Sequence, residues 1–230
     1  LTKTALILTV LISFFMFQAA LSASAEQPSS PKTVTLPAPS LKGSFPLNRA
    51  MSERRSLRQF KSSAITMEEL SMLLWACQGQ SDDKGHRTAP SAMASYPLEL
   101  YVMAGNVSGL SPGVYRYFSK GHQLGRIAEG DRRAAFVDSA VSRQQWIKGA
   151  PVIFLITCVH ERVTAKTGET GKPFVYAEVG LAAQNLFLEA VSLSMGGTYV
   201  GGFVPEKVKS FFSLPSDEEP AAVIPVGKKP

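Results

Sequence analysis

Hydrophobic positions form short blocks whose period changes along the chain. Leu70, Leu73 and Leu74 recur at three- and four-residue steps behind Thr66 and Glu69. The spacing predicts a helix capped by Thr66, with Glu69 as its reciprocal partner, running to about Ala76 and stopping before Gly79. A shorter helix is predicted over 46–51, ahead of a run of arginines. Residues 98–104 read as a strand. Ser111-Pro112-Gly113 reads as a turn, and 114–118 with 123–127 as a hairpin around Lys120-Gly121. Residues 151–159 are a continuous apolar run rich in β-branched side chains, which predicts a central strand covered on both faces. The longest pattern spans 175–193. Val179, Ala182, Ala183, Leu186, Ala190 and Leu193 keep a helical step, while Leu181, Phe187, Leu188 and Val191 make the helix apolar nearly all round. Such a helix is buried in its own domain or in an interface between subunits. Two further short strands are predicted over 198–203 and 222–226, and 78–86 and 161–173 are read as loops.

The start of the chain has another character. Lys3 is the only charge before Glu26, an apolar stretch covers 5–21, and Ala23-Ser24-Ala25 follows. One positive charge, an apolar core and small residues at the end predict a signal peptide over 1–25, cleaved after Ala25. The rival reading is an uncleaved anchor, because 4–25 carries no charge. Thr9, Ser13, Gln18, Ser22 and Ser24 dilute that span. The expectation is an exported protein, periplasmic or secreted, with no stable membrane anchor after cleavage. Residues 26–43, rich in Pro, Ser and Thr, are read as an extended tether. No repeat or linker divides 44–230, which is read as one α+β domain.

Of 230 residues, 45% are hydrophobic and 18% charged, enough for a folded core. Two Cys cannot build a disulfide framework or a four-thiolate zinc site. Whether Cys77 and Cys158 are bonded stays open. The net charge of +6 favours anionic ligands without requiring nucleic acid. There is no GxGxxG after a first strand, no GxxxxGK[ST], no HExxH and no GxSxG. His86, His122 and His160 lack metal-ligand spacing.

Three segments could carry chemistry. Arg54-Arg55-Ser56-x-Arg58 gathers three guanidiniums and a hydroxyl, which suits a phosphate; a solvated basic helix end is the alternative. Arg87-Thr88-Ala89-Pro90-Ser91-Ala92 joins a polar loop to an apolar segment through small residues that would let a flat ring lie close. Residues 195–203 place Gly196-Gly197 and Gly201-Gly202 at the two ends of a short strand, as close backbone approach or tight turns require. Together they suit a planar, phosphate-bearing ligand held by backbone and arginine.

The order Arg54-Arg55-Ser56-x-Arg58-x-Phe60, Leu73-Leu74-Trp75-Ala76, Arg87 to Ala92, Tyr96-Pro97-Leu98-Glu99-Leu100-Tyr101, Gly113-Val114-Tyr115-Arg116-Tyr117, Glu178-Val179-Gly180, Gln184-Asn185-Leu186, Gly201-Gly202-Phe203 and Ile224-Pro225-Val226-Gly227 resembles the nitroreductase superfamily, most of all its SagB-type branch. The likeness runs from about Arg49 to Pro230. It implies a three-layer sandwich with a mixed central sheet flanked by helices, and an FMN-binding homodimer with the cofactor at the subunit interface. By position, Arg54, Arg55, Ser56 and Arg58 would hold the phosphate and ribityl chain. Pro90, Ser91 and Ala92 of the other subunit would border the flavin ring, and Gly201 and Gly202 would place amides near N5. Lys228, near the C-terminus, would add a basic contact to the phosphate. No catalytic side chain is expected, because flavin N5 carries the chemistry.

The sequence departs from relatives that carry an Asn after Pro-Ser; here Ala92-Met93-Ala94-Ser95 stands there. The resemblance implies ping-pong transfer between a small-molecule donor and acceptor. Two other functions remain open at this point: a flavin- or ligand-binding envelope protein without turnover, and an FMN-dependent oxidase acting on a peptide or envelope metabolite.

Overall fold

The computed structural model describes residues 33–230 apart from Ser142. The expected signal peptide and the first part of the expected tether lie outside the described residues. In chain order the elements are β1 (Thr33–Thr35), α1 (Leu47–Glu53), α2 (Met67–Gln78), β2 (Leu98–Ala104), β3 (Gly113–Phe118), β4 (Gln123–Glu129), α3 (Arg133–Ala140), β5 (Val152–Cys158), α4 (Glu161–Thr167), α5 (Lys172–Ser192), β6 (Met195–Gly197), α6 (Pro205–Phe212) and β7 (Glu219–Lys228). Short 3₁₀ turns occupy Ala92–Ala94, Gln145–Gly149 and Gly168–Gly171.

The strands form one sheet in the order β1-β4-β3-β2-β5-β7-β6. Every neighbouring pair is antiparallel. The expectation of a mixed sheet is thereby corrected: parallel pairing is confined to single bridges such as Ser56–Gly197 and Ile65–Val107. β5 is central, and all seven of its residues are buried, as its unbroken apolar run requires. Its side chains alternate between two cores. Phe154 and Ile156 join Leu73, Leu74, Val179 and Leu186 under α2 and α5. Ile153 and Leu155 join Phe136, Val208 and Phe212 under α3 and α6. Helices therefore cover both faces, giving the three layers of an α+β sandwich.

α2 begins as expected. Thr66 Oγ1 accepts from the Glu69 amide and Glu69 Oε2 accepts from the Thr66 amide, a complete capping box. Three differences stand out. Residues 161–173, expected as a loop, contain α4 and a 3₁₀ turn. The strand expected over 198–203 is replaced by β6 just before it, with Val200 alone bridging Val223. Part of the expected tether is sheet: Thr33–Thr35 pairs with β4, and Leu36 is buried in the first core.

That N-terminal arm is latched by His122. Leu36 N–H donates to the His122 carbonyl, and His122 Nε2 lies 2.6 Å from Ser71 Oγ and 3.1 Å from the Pro37 carbonyl. Nδ1 lies 2.8 Å from the Tyr117 hydroxyl. Burial lowers the imidazole pKa below its ordinary value of 6.5, against an opposing bond to Pro37. The unfolded chain then binds the proton more tightly, so this stabilisation is whole above about pH 6.5 and is lost as pH falls below it. Thermal melts between pH 7.5 and 5 should show a steeper fall for wild type than for His122→Gln; equal slopes would remove His122 from the account.

Both cysteines are free and buried. Burial pushes each thiol up to about 12, so neither is a nucleophile. Among the described residues, no helix is long and apolar enough to cross a membrane.

Candidate functional site

α1 ends at Arg54, whose amide bonds to the Ala50 carbonyl. The chain then turns and lies beside β6. Leu57 N–H donates to the Gly197 carbonyl at 3.1 Å, and Thr198 Oγ1 donates to the Leu57 carbonyl at 2.7 Å. This fixes the backbone of the arginine run along a sheet edge. Arg54 is half-buried, while Arg55, Ser56 and Arg58 are exposed. Arg55 Nη1 donates to the carbonyls of Ser52 and Arg54, and the Arg58 guanidinium stands 5.9 Å from the Trp146 ring centroid. The ion pairs found among the described residues leave Arg54, Arg55 and Arg58 out. Three cations within five positions, with no carboxylate paired to them among the described residues, concentrate positive charge that would suit an anion.

Two glycine pairs flank this edge and differ in kind. A Cβ on Gly197 would sit 2.6 Å from the Pro225 carbonyl, and one on Gly196 would press on Leu57 at 3.1 Å. Their close approach is to the protein itself. Gly201 and Gly202 are exposed, and a Cβ there would meet nothing nearer than 3.8 and 3.7 Å. The chain's own packing does not require those two glycines. Just beyond the Val200–Val223 bridge, the Gly202 carbonyl accepts from Gln144 Nε2 at 3.3 Å, while the Gly201 and Gly202 amides have no backbone partner among the described residues.

Lys228, unlike the three arginines, has a carboxylate partner: its ammonium pairs with Glu69 Oε1 at 3.2 Å, at the start of α2. The Glu53 carboxyl, next to Arg54, is held below its ordinary pKa by Arg49 first, with a smaller contribution from the charge of Lys229.

Pro90, Ser91 and Ala92 lead into a tight turn at a separate place. Pro90 is exposed, and Ser91 and Ala92 are half-buried. Met93, Ala94 and Tyr96 all have positive φ, 53°, 49° and 45°, a left-handed conformation that costs energy in residues other than glycine. The Ala92 amide donates to Glu178 Oε1 at 2.7 Å, and the Tyr96 amide to Ser91 Oγ at 2.8 Å. Ser95 Oγ is buried without a hydrogen-bond partner. Burial raises the Glu178 carboxyl pKa, against the bonds from Ala92 and Ser91. Glu178 was visible in sequence as a lone acid on the apolar side of a helix, between Val175 and Val179, and reasoning from residues alone gave it no role.

α5 separates the two halves. Its N-terminal part holds the turn through Glu178. Its C-terminal part, with Leu188 and Glu189, faces α1 across a cleft of about 350 Å³ that Phe45 and Trp75 also line. The eleven residue steps of helix from Glu178 to Glu189 span roughly 16 Å, and no hydrogen bond or ion pair among the described residues joins the arginine cluster to the turn.

The helix carries two apolar faces. Val175, Val179, Ala182, Ala183 and Leu186 are in the first core. Phe174, Tyr176 and Leu181 are 50%, 51% and 46% exposed. Ala183, at 2%, belongs to the domain's own core and not to a free face.

Comparison with known proteins gives this arrangement a setting. Residues 51–228 match the family model described as the nitroreductase family. A nitroreductase-named protein of Methanocaldococcus jannaschii is 37% identical over 183 residues, covering 80% of this chain and 91% of that protein. Among solved structures, a nitroreductase-named protein of Ralstonia eutropha superposes with a TM-score of 0.73 at 26% identity, covering 89% of this chain and 92% of that one. Another from Anabaena variabilis gives a TM-score of 0.74 at 24% identity, covering 91% of this chain and 45% of the other, and so speaks to the fold. With the match running from α1 to the last strand, this chain belongs to the nitroreductase family.

Proposed function

We propose that this chain is an exported FMN-dependent oxidoreductase of the SagB-type branch, released by cleavage after Ala25 and working as a homodimer. Family membership supports an oxidoreductase. The observation that carries the cofactor is the set of guanidiniums of Arg54, Arg55 and Arg58, with no carboxylate partner among the described residues, together with the exposed, unpartnered amides of Gly201 and Gly202. The residues present fit FMN. Arg54, Arg55, Arg58 and the Ser56 hydroxyl would hold its phosphate, with one of the terminal lysines, Lys228 or Lys229, adding a basic contact. The Gly201 and Gly202 amides would face the ring. Bound there, FMN would supply hydride and electron transfer between a small-molecule donor and acceptor in turn. The protein's part is to bind, to orient and to keep positive charge beside a cofactor that gains electrons.

The dimer reading rests on α5. Its exposed face of Phe174, Ala177, Gly180 and Leu181 is apolar or small, and a two-fold axis would pack it on its own copy. The placing of the arginine cluster and the 90–96 turn toward different parts of α5 supports a cofactor contacted by both subunits.

Purified protein should be yellow, with FMN identified by mass; bound FAD would count against the reading. A donor that bleaches the colour and an acceptor that restores it would establish turnover, whereas colour no donor bleaches would mark a binder. Arg54→Ala or Arg58→Ala should weaken FMN by about 1.5–3 kcal/mol, roughly tenfold to a hundredfold. Lys120→Ala, in the β3–β4 turn, should leave affinity unchanged. Equal retention in all three variants would reject the phosphate site.

A further inference from the structure

The 91–96 turn is held from outside by three charged side chains, and all three grip its main chain. Glu178 on α5 accepts from the Ala92 amide at 2.7 Å. Lys166 on α4 donates to the Met93 carbonyl at 3.2 Å. Arg162, one helical turn earlier on α4, donates through Nη1 to the Tyr96 carbonyl at 2.9 Å. From the other direction the Arg87 guanidinium stands 4.9 Å from the Tyr96 ring centroid. Within the turn, only Ser91 and Ala92 contribute: the Ser91 carbonyl accepts from Ala94, the Ala92 carbonyl from Ser95, and Ser91 Oγ from Tyr96.

The grip is anchored in the sheet. Arg162 Nη2 bonds to Glu99 Oε1 on β2 at 2.6 Å, and Glu99 Oε2 pairs with Arg116 on β3 at 3.1 Å. Arg116 reaches Glu218 Oε1 at 3.5 Å. Arg162 thus spans from a buried ionic chain to a strained loop. Three left-handed residues in a run of four do not persist unless their surroundings over-determine them. A surface loop free to relax would recruit no such set of contacts.

We propose that α4 and α5 form a clamp that fixes the 91–96 turn in its ligand-facing shape, with Arg162 and Lys166 as positioning residues; the ligand-facing part rests on the flavin reading above. The clamp acts on backbone, so it sets the path of Pro90, Ser91 and Ala92 without touching the cofactor. It also gives α4 a role that does not depend on lining a pocket.

The test uses the full chain with Arg162→Gln, Lys166→Gln and the double variant, and Arg162→Lys as the rescue. Hydrogen exchange is read at amides 92–96 in flavin-free protein. FMN affinity and the visible circular dichroism of bound flavin are read separately. Loss of a charge-assisted bond should speed exchange there about tenfold. FMN affinity should fall by a similar factor with an altered flavin spectrum, and Arg162→Lys should recover part of both. Lys166 is a surface residue, so Lys166→Gln stays informative should Arg162→Gln not fold. Unchanged exchange at 92–96 in the double variant would overturn the clamp. Faster exchange with unchanged FMN affinity and spectrum would overturn its link to the ligand. Wild-type protein that takes up no flavin would refute the flavin reading, and with it the ligand-facing part, while the exchange data still decide the clamp.

Discussion

Ala183→Glu should not fold. Ala183 is 2% exposed and packs in the core between α5 and the sheet. A carboxylate there has no partner, and burying an unpaired charge costs several kcal/mol even after it is neutralised by a pKa shift. That is comparable with the entire stability of a domain, about 5–15 kcal/mol. The informative companion is Leu181→Glu, two residues away and 46% exposed. That change leaves the core intact and puts charge on the face proposed to meet a second copy. Far-ultraviolet dichroism should show an unfolded Ala183→Glu and a folded Leu181→Glu, and light scattering should find the latter monomeric and colourless. A yellow, dimeric Leu181→Glu would remove α5 from the interface; a folded Ala183→Glu would mean that the core is looser than its packing indicates.

Glu218→Ala should destabilise the domain by about 3–5 kcal/mol, the cost of removing one partner from a buried ionic group. Glu218 is 2% exposed. Its Oε2 accepts from the Tyr101 hydroxyl at 2.8 Å and the Thr157 hydroxyl at 2.6 Å, and its Oε1 lies 3.5 Å from Arg116. Truncation strands two buried hydroxyls and weakens the hold on a guanidinium whose Nε is already buried without a partner. Urea unfolding measures this directly. Glu129→Ala, which breaks an exposed pair with Arg126, should cost no more than about 1 kcal/mol. Similar losses in the two variants would show that the buried network contributes little.

Local signals were legible in the sequence and non-local ones were not. The α2 capping box needs Thr66 and Glu69 and nothing else. β5 announces itself because a strand covered on both faces has no polar position to spare. Antiparallel pairing, by contrast, joins Val152 to Val226 and Thr33 to Gly125, and no local pattern encodes such partners. α6 did carry a signal that reading along the chain passed over, with Pro205 at its first position and Glu206 in its first turn. The arginine run was legible as a concentration of positive charge, because charge density is a local property. The pairing of Lys228 with Glu69 was not legible, because the two are remote in sequence. The left-handed backbone at Met93, Ala94 and Tyr96 had no sequence signature, since none of them is glycine.

The strand Thr33–Thr35 changes where the folded unit begins. Composition places a boundary near residue 44, yet β1 is the outermost strand of the sheet, and Leu36 behind it fills the core. A version of the protein that started at residue 44 would uncover the outer edge of β4 along Gln123–Gly125 and leave a hollow where Leu36 had been. Bare strand edges recruit other strands. Residues 33–36 of the Pro-rich segment are therefore a cover as much as a spacer, and they protect one flank of the sheet from self-association.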